Sequence, residues 1–452
     1  MPNLAQGTIH NKNTIWGVKQ SMGEYYRLIR HGGNRDLFRM VEMSVAALVN
    51  GQSFHIQAEG LRGTGKTTIM RTARELLPPI TRIKNCLYNC DPAMPHCPVH
   101  RHLPPAEIEA LGVEQVPRPF LEISQAAKPS TIVGSIDLAR LTNPVEPQAA
   151  LLPGTIPQAH RGIIFIDEVN RLADTSPELA DILLDVMGTR PGRVQIEEAG
   201  LPVVELPVHL CIWAASNPDE NPGPLSRIRK QLADRFDVTV TMGRPDTEQA
   251  VVEILAGHGG SDAPGGAVNL TTGCLDRIEM HPKIRQLLAR LYITYNLESL
   301  RTVAAMETAV RLAALLAGQS SAGLTELAQV APFVLAHRVS KDTIAAIMSD
   351  LHGLLYGQVK KPETVSATAQ LARQTLSRWT RPWAALAARL AAVLPNKYPL
   401  PGSHIGGGKG EQGTAHIADP LNTVIIAPPK PATPLNRLPD EQLVSREANP
   451  HA

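Results

Sequence analysis

From Gly60 to Thr67 the chain reads Gly-Leu-Arg-Gly-Thr-Gly-Lys-Thr. The stretch before it, Phe54-His55-Ile56-Gln57-Ala58, mixes apolar and polar residues as a strand does, and Ile69 to Arg74 after it has helical character. The spacing predicts strand, glycine loop and helix in immediate succession, the setting in which such a run cradles phosphate. Gly60, Gly63 and Gly65 lack side-chain bulk, so the loop's N–H groups are free to converge on phosphate oxygens, with Thr64 and Thr68 in the same binding set. The following helix points the positive end of its dipole at the same place. Lys66 is placed to reach the β- and γ-phosphates of a nucleotide, and Thr67 offers a hydroxyl to Mg²⁺, a hard cation that prefers oxygen. A glycine-rich turn with a chance Lys-Thr is the bland alternative, and the rest of the chain decides between them.

Further along, Gly162-Ile163-Ile164-Phe165-Ile166 is an unbroken apolar run that ends in Asp167-Glu168. It reads as a buried parallel strand with two carboxylates at its carboxyl end, the edge at which open α/β sheets bind ligands. After a phosphate loop, such a pair predicts Asp167 in the Mg²⁺ shell and Glu168 as the base that polarises attacking water. Leu210 to Ala215 is a second buried strand, tipped by Ser216-Asn217-Pro218, where Asn217 could orient that water. On type alone, Asn217 is a turn former. Between these strands, Asp174 to Met187 reads as an amphipathic helix, and Arg193 to Leu206 as a hairpin. Arg227 to Asp237 reads as a basic helix, followed by a short strand, Val238 to Val240.

At 452 residues the chain is long enough for two or three domains with a sizeable core. Lys and Arg number 44 against 42 Asp and Glu, a balance that argues against a protein built to coat nucleic acid. No signal-like N-terminus or membrane-length apolar run is present, which leads to the expectation of a soluble, cytoplasmic protein. Aromatic residues make up 4% of the chain, so an aromatic-lined pocket for a flat ligand is not expected.

The five cysteines include three crowded into the proline-rich stretch Cys86 to His102. Cys86, Cys90, Cys97 and His100 offer ligands of the right type for Zn²⁺, and three thiolates could hold an iron–sulfur cluster, although the spacing matches no standard finger. A loop with reduced, buried cysteines and a regulatory disulfide remain open readings of the same residues. Cys274 reads as core filling.

The domain reading is an N-terminal arm over 1–40, an α/β core over 41–245 with a cysteine-rich insert at 84–105, and an all-helical domain over 246–345. Extra helices over 346–395 and a proline- and glycine-rich tail over 396–452 complete it, the tail being too polar to order itself.

The succession of glycine loop, acid-tipped strand, asparagine-tipped strand, Asp-Arg-Phe helix and helical lid resembles the AAA+ ATPases, and most closely the ATPase (I) subunit of magnesium chelatase. The resemblance runs from about Ile15 to Asp342. Thr14-Ile-Trp16-Gly17 resembles the family's adenine-side approach, and Gly63 to Thr67 the Walker A loop. Ala159 to Asn170 is similar to the Walker B region, and Ser216-Asn217-Pro218 to sensor 1. Arg229 to Phe236 resembles the segment carrying the arginine finger, implying Arg235 for that role toward a neighbouring subunit. Ser299-Leu-Arg301 resembles sensor 2, implying that Arg301 reaches the γ-phosphate from the lid.

The resemblance implies an AAA+ P-loop core with a parallel sheet flanked by helices, a helical lid, ATP and Mg²⁺ as ligands, and a hexameric ring. It also implies a partner with an integrin-like (VWA) metal-binding domain and, in the chelatase system, a separate large subunit that binds the tetrapyrrole. Metal insertion into a tetrapyrrole is the function this implies. A MoxR-like remodeller that matures or metallates proteins with an integrin-like partner shares the same ATP site, and a DNA motor is the third reading. The cysteine-rich segment and the long C-terminal extension depart from the family pattern.

Overall fold

In the computed structural model the described residues are 23–136, 151–197, 203–257 and 275–356. They belong to a compact unit spanning Met1–Lys361; a second unit, Pro362–Ala452, lies outside them. Trp16, Gly17, Cys274, the extra helices beyond 356 and the tail therefore also lie outside the described residues.

Among the described residues, the strands that build and border the core are β1 (Ile56–Gly60), β2 (Ile80–Ile83), β3 (Val113–Val116), β4 (Phe120–Ile123), β5 (Gly134–Ile136), β6 (Leu151–Pro153), β7 (Gly162–Ile166), β8 (Gly192–Ile196), β9 (Val204–Val208), β10 (Leu210–Ser216) and β11 (Val238–Met242). Five of them form one parallel sheet in the order β11-β1-β10-β7-β4. The chain leaves β1 for the far edge at β4, works back through β7 and β10, and then places β11 on the other side of β1. That reversal beside β1 opens a crevice at the carboxyl ends of the strands. Every residue of β7 and β10 is buried, which explains why both read as continuous apolar runs.

The helix Arg35–Val49 covers one face of the sheet. Its Ser44 hydroxyl donates to the Phe54 carbonyl at 2.6 Å and accepts from Trp213 Nε1 at 2.9 Å, so the largest buried side chain has its polar atom satisfied. Helices Leu300–Leu316 and Leu324–Leu335 share that same apolar core with β1, β10 and β11. The helical part is thus continuous in packing with the sheet. It is also not wholly helical, since Glu279–Met280 pairs with Ser321–Ala322. The helix Lys341–Leu355 runs unbroken through the expected boundary at 345/346.

Three expected helices are shorter than the sequence reading. The one after the glycine loop spans Lys66–Thr72 and tightens to a 3₁₀ turn, Ala73–Leu76, ahead of Pro78. The expected helix 174–187 is two helices, Val169–Thr175 and Pro177–Val186, because Ser176 precedes a proline and is held out of the helical region at φ −135°, ψ 70°. The basic segment 227–237 is two single turns, Leu225–Ile228 and Lys230–Ala233, broken at Arg229, whose guanidinium pairs with Asp181 at 3.0 Å.

Candidate functional site

The loop after β1 closes over its own lysine. Gly60, Gly63 and Gly65 have φ of 153°, 74° and 86°, all in the region that favours glycine. A Cβ on Gly60 would lie 2.8 Å from the Met242 carbonyl oxygen of β11, so Gly60 is also required by close approach. Lys66 is buried, and its Nζ donates to the carbonyls of Gly60 at 2.7 Å and Leu61 at 2.8 Å. Burial pulls its ammonium below the ordinary lysine range, against the opposing pull of Asp167 and Glu220.

Opposite the loop, Thr67 Oγ1 donates to Asp167 Oδ2 at 3.1 Å. Glu168 sits in the left-handed region at φ 53°, uncommon for a residue with a side chain and a mark of functional turns. Its Oε2 accepts from Gln125 Nε2 at 2.9 Å and pairs with Arg171 at 3.1 Å. Asn217 lies at the tip of β10, and Asn170 Nδ2 donates to its carbonyl at 3.4 Å. The loop residues Gly63 to Thr68, Asp167, Glu168 and Asn217 line one open cleft of about 400 Å³. Hard oxygen donors at Thr67 and Asp167 suit Mg²⁺, and the loop's glycines and Lys66 suit phosphate.

Residues 285–350 match the model of the AAA lid domain. The magnesium-chelatase 38 kDa subunit of Acidiphilium rubrum is 31% identical over 68% of this chain and 89% of its own length. That of Cereibacter sphaeroides is 28% identical over 63% of this chain and 84% of its own length. This chain belongs to the magnesium-chelatase ATPase-subunit family. Its chloroplast relative from Chlamydomonas reinhardtii is 26% identical over 68% of this chain and 75% of its own length. As a member of this family the chain is an AAA+ ATPase with a parallel sheet and a helical lid. No helix among the described residues is long and apolar enough to cross a membrane.

In this magnesium-chelatase relative the two arginines singled out by the sequence meet away from the loop. Arg301 donates to the carbonyls of Met187 and Gly188, both at 3.2 Å, and Arg235 donates to Gly188 O at 3.4 Å. Arg301 is pulled below its ordinary range by burial and by Arg235 beside it. Both lie at the amino-terminal edge of the sheet. Ile56 pairs with Val238 and Gly60 with Met242, and the Asp237 N–H donates to His55 O, so Arg235 precedes the edge at which the strands begin. The loop follows the edge at which they end, about 13 Å away along the strands. Neither guanidinium faces the loop of its own chain, which differs from the expectation that Arg301 reaches those phosphates from the lid.

Several residues that organise these edges were not singled out in the sequence. The Arg338 side chain is almost wholly covered and donates to the carbonyls of Asp234, Phe236 and Asp237, pinning the turn that carries Arg235. Arg190 pairs with Asp237 at 2.7 Å. Arg171 stands three residues after Glu168, a helical spacing that could have flagged it. Gln125 and Arg338 carry no such local signal. The remaining expected cluster is assembled: Cys86, Cys90, Cys97 and His100 are all buried and face one another.

Proposed function

We propose that this chain hydrolyses MgATP at the loop cleft, with each site completed by Arg235 and Arg301 of a neighbouring copy in a hexameric ring. The motion drives an integrin-like partner in metal insertion into a tetrapyrrole held on a separate large subunit. The observation that carries the reading is the separation itself. Lys66, Thr67, Asp167, Glu168 and Asn217 share one cleft at the carboxyl edge, while both arginines sit at the opposite edge of the same sheet. Thr67 and Asp167 would hold Mg²⁺, which supplies charge neutralisation to the phosphates when bound.

The chain's own groups do the rest. The loop N–H groups and Lys66 fix the phosphates, which requires Nζ to leave the carbonyls of Gly60 and Leu61 in part. Glu168 takes the proton of the attacking water, and Asn217 holds that water in line. Trp16 and Gly17 are assigned to the adenine side by resemblance, and the Mg²⁺ and tetrapyrrole roles by kinship. The chelatase names of the relatives favour metal insertion over the MoxR-like reading, and the near-neutral charge disfavours a DNA motor.

Purification of tagged Glu168→Gln full-length chain with MgATP, followed by identification of bound proteins, tests this. The expected partners are an integrin-like subunit and a large tetrapyrrole-binding subunit, with metal insertion restored on mixing with wild-type chain. Capture of an integrin-like protein alone, without metal insertion, would replace this reading with the remodeller. Hydrolysis stimulated by DNA would replace it with the nucleic-acid motor.

A further inference from the structure

The cysteine-rich insert leaves β2 at Ile83 and rejoins regular structure at the helix Pro105–Leu111. Its backbone is almost wholly turns, so hydrogen-bonded ladders do not hold it. Yet all four of Cys86, Cys90, Cys97 and His100 are buried, and their ligand atoms lie within 4.8 Å of one another. The His100 Nδ1 is 3.2 Å from Cys97 Sγ. Cys90 Sγ accepts the backbone N–H groups of His96 at 3.4 Å and Cys97 at 3.3 Å. A sulfur that gathers two backbone donors is placed as a thiolate would be, since those donors compensate charge on a ligand sulfur.

We propose that Cys86, Cys90, Cys97 and His100 form a closed structural site for a single Zn²⁺. Tetrahedral zinc with bonds of about 2.3 Å holds thiolate sulfurs about 3.8 Å apart, within the span these four side chains already occupy. An iron–sulfur cluster places several irons between its sulfurs and needs them farther apart, and a disulfide would use two thiols and strand the third. Three thiolates and one imidazole fill four positions, leaving none for substrate, so the ion is structural.

The site's consequence is positional. The same loop sends Tyr88 OH to the Leu151 carbonyl at 3.1 Å and Asn89 Nδ2 to the Gln158 carbonyl at 2.6 Å, and Asp91 pairs with Arg161 at 3.1 Å. Residues 151–161 are the lead-in to β7, whose end carries Asp167 and Glu168. Zinc therefore fixes a brace behind the acid-tipped strand. This inference is independent of what the ATPase drives.

The test is metal analysis of untagged full-length protein prepared anaerobically, before and after incubation with Zn²⁺, and of protein in which Co²⁺ replaces it. One zinc per chain is expected, together with a Co²⁺ spectrum showing thiolate-to-metal charge transfer and tetrahedral ligand-field bands. Cys97→Ser should lower zinc content at least tenfold, and His100→Ala should shift the cobalt bands, whereas His96→Ala should keep stoichiometric metal. Should the cysteine variant fail to fold, the wild-type metal content and cobalt spectrum decide. Metal-free protein with three reactive thiols that takes up no Zn²⁺ overturns the proposal. So does stoichiometric iron with sulfide, or a disulfide among the three cysteines.

Discussion

The Thr67 hydroxyl donates to the Asp167 carboxylate across 3.1 Å, joining the glycine loop to the tip of β7 although the two residues stand 100 positions apart. Both present hard oxygens to the same cleft. Thr67→Val should therefore raise the Mg²⁺ concentration needed for half-maximal ATP hydrolysis by roughly 10-fold or more. A magnesium titration of steady-state phosphate release checks this, and an unchanged midpoint would remove Thr67 from the ion's shell.

Glu168 is held at Oε2 by Gln125 and Arg171. Glu168→Gln keeps the side chain's size but cannot take a proton from water, so kcat should fall about 10²- to 10⁴-fold while nucleotide binding persists. Fluorescent-nucleotide titration beside phosphate release separates the two effects. Normal turnover in this variant would end the assignment of Glu168 as base.

Arg235 contacts Gly188 at the sheet edge opposite the loop. As a finger supplied to another copy, it should cost on the order of 10³-fold in rate when changed to Ala. Mixing Arg235→Ala with Lys66→Ala chains should recover part of the activity, because some junctions then pair an intact loop with an intact arginine. Absence of both the loss and the rescue would leave Arg235 a structural side chain.

Gly60 and Gly65 make a paired test of the loop. A Cβ at Gly65 meets nothing within 4 Å, so Gly65→Ala carries only the left-handed backbone cost, about 1–2 kcal/mol. Gly60→Ala adds a clash with the Met242 carbonyl and should be the more destabilising, read as the lower midpoint in denaturant unfolding. Equal midpoints would argue that the loop relaxes freely.

His55 is fully buried, accepts the Ile212 N–H on Nδ1 at 3.0 Å, and has its pKa lowered to about 4, chiefly by burial, with Arg190 and Arg301 also lowering it and Asp237 opposing. The unfolded chain protonates near 6.5 and the folded chain near 4. The stability tied to neutral His55 is therefore whole above pH 6.5 and is lost as pH falls from there through about 4. Thermal melts between pH 7.5 and 4.5 should show His55→Asn losing less stability across that interval than the wild type. Parallel losses would place the acid sensitivity elsewhere, with His96 and His160 the next candidates.

Much of this cleft was legible in the sequence because its parts are local. Gly60 to Thr67 is a contiguous loop, and β7 and β10 announce themselves as apolar runs ending in Asp167-Glu168 and Asn217. What the sequence left hidden depends on distant pairing. Arg301 meets Gly188 from 113 residues away, and Arg338 closes on Asp234 from 104 away, contacts that no window around either residue encodes. The helix breaks at Ser176 and Arg229 were half visible: Pro177 signals the first, while the Arg229 break accompanies its reach to Asp181. For the cysteines, residue type pointed to a cluster, but irregular spacing hid that a loop without ladders could fold all four ligands inward.

The shared register of β1 and β11 sets the loop on one side of the subunit and the two arginines on the other. A patch pressed against its own copy by a two-fold axis cannot join two unlike faces, so sites finished in this way require head-to-tail repetition. Such a ring has a direction. A chain stripped of one face still binds through the other, so it leaves its ring unclosed, and a small share of such chains would silence many more junctions than their own number.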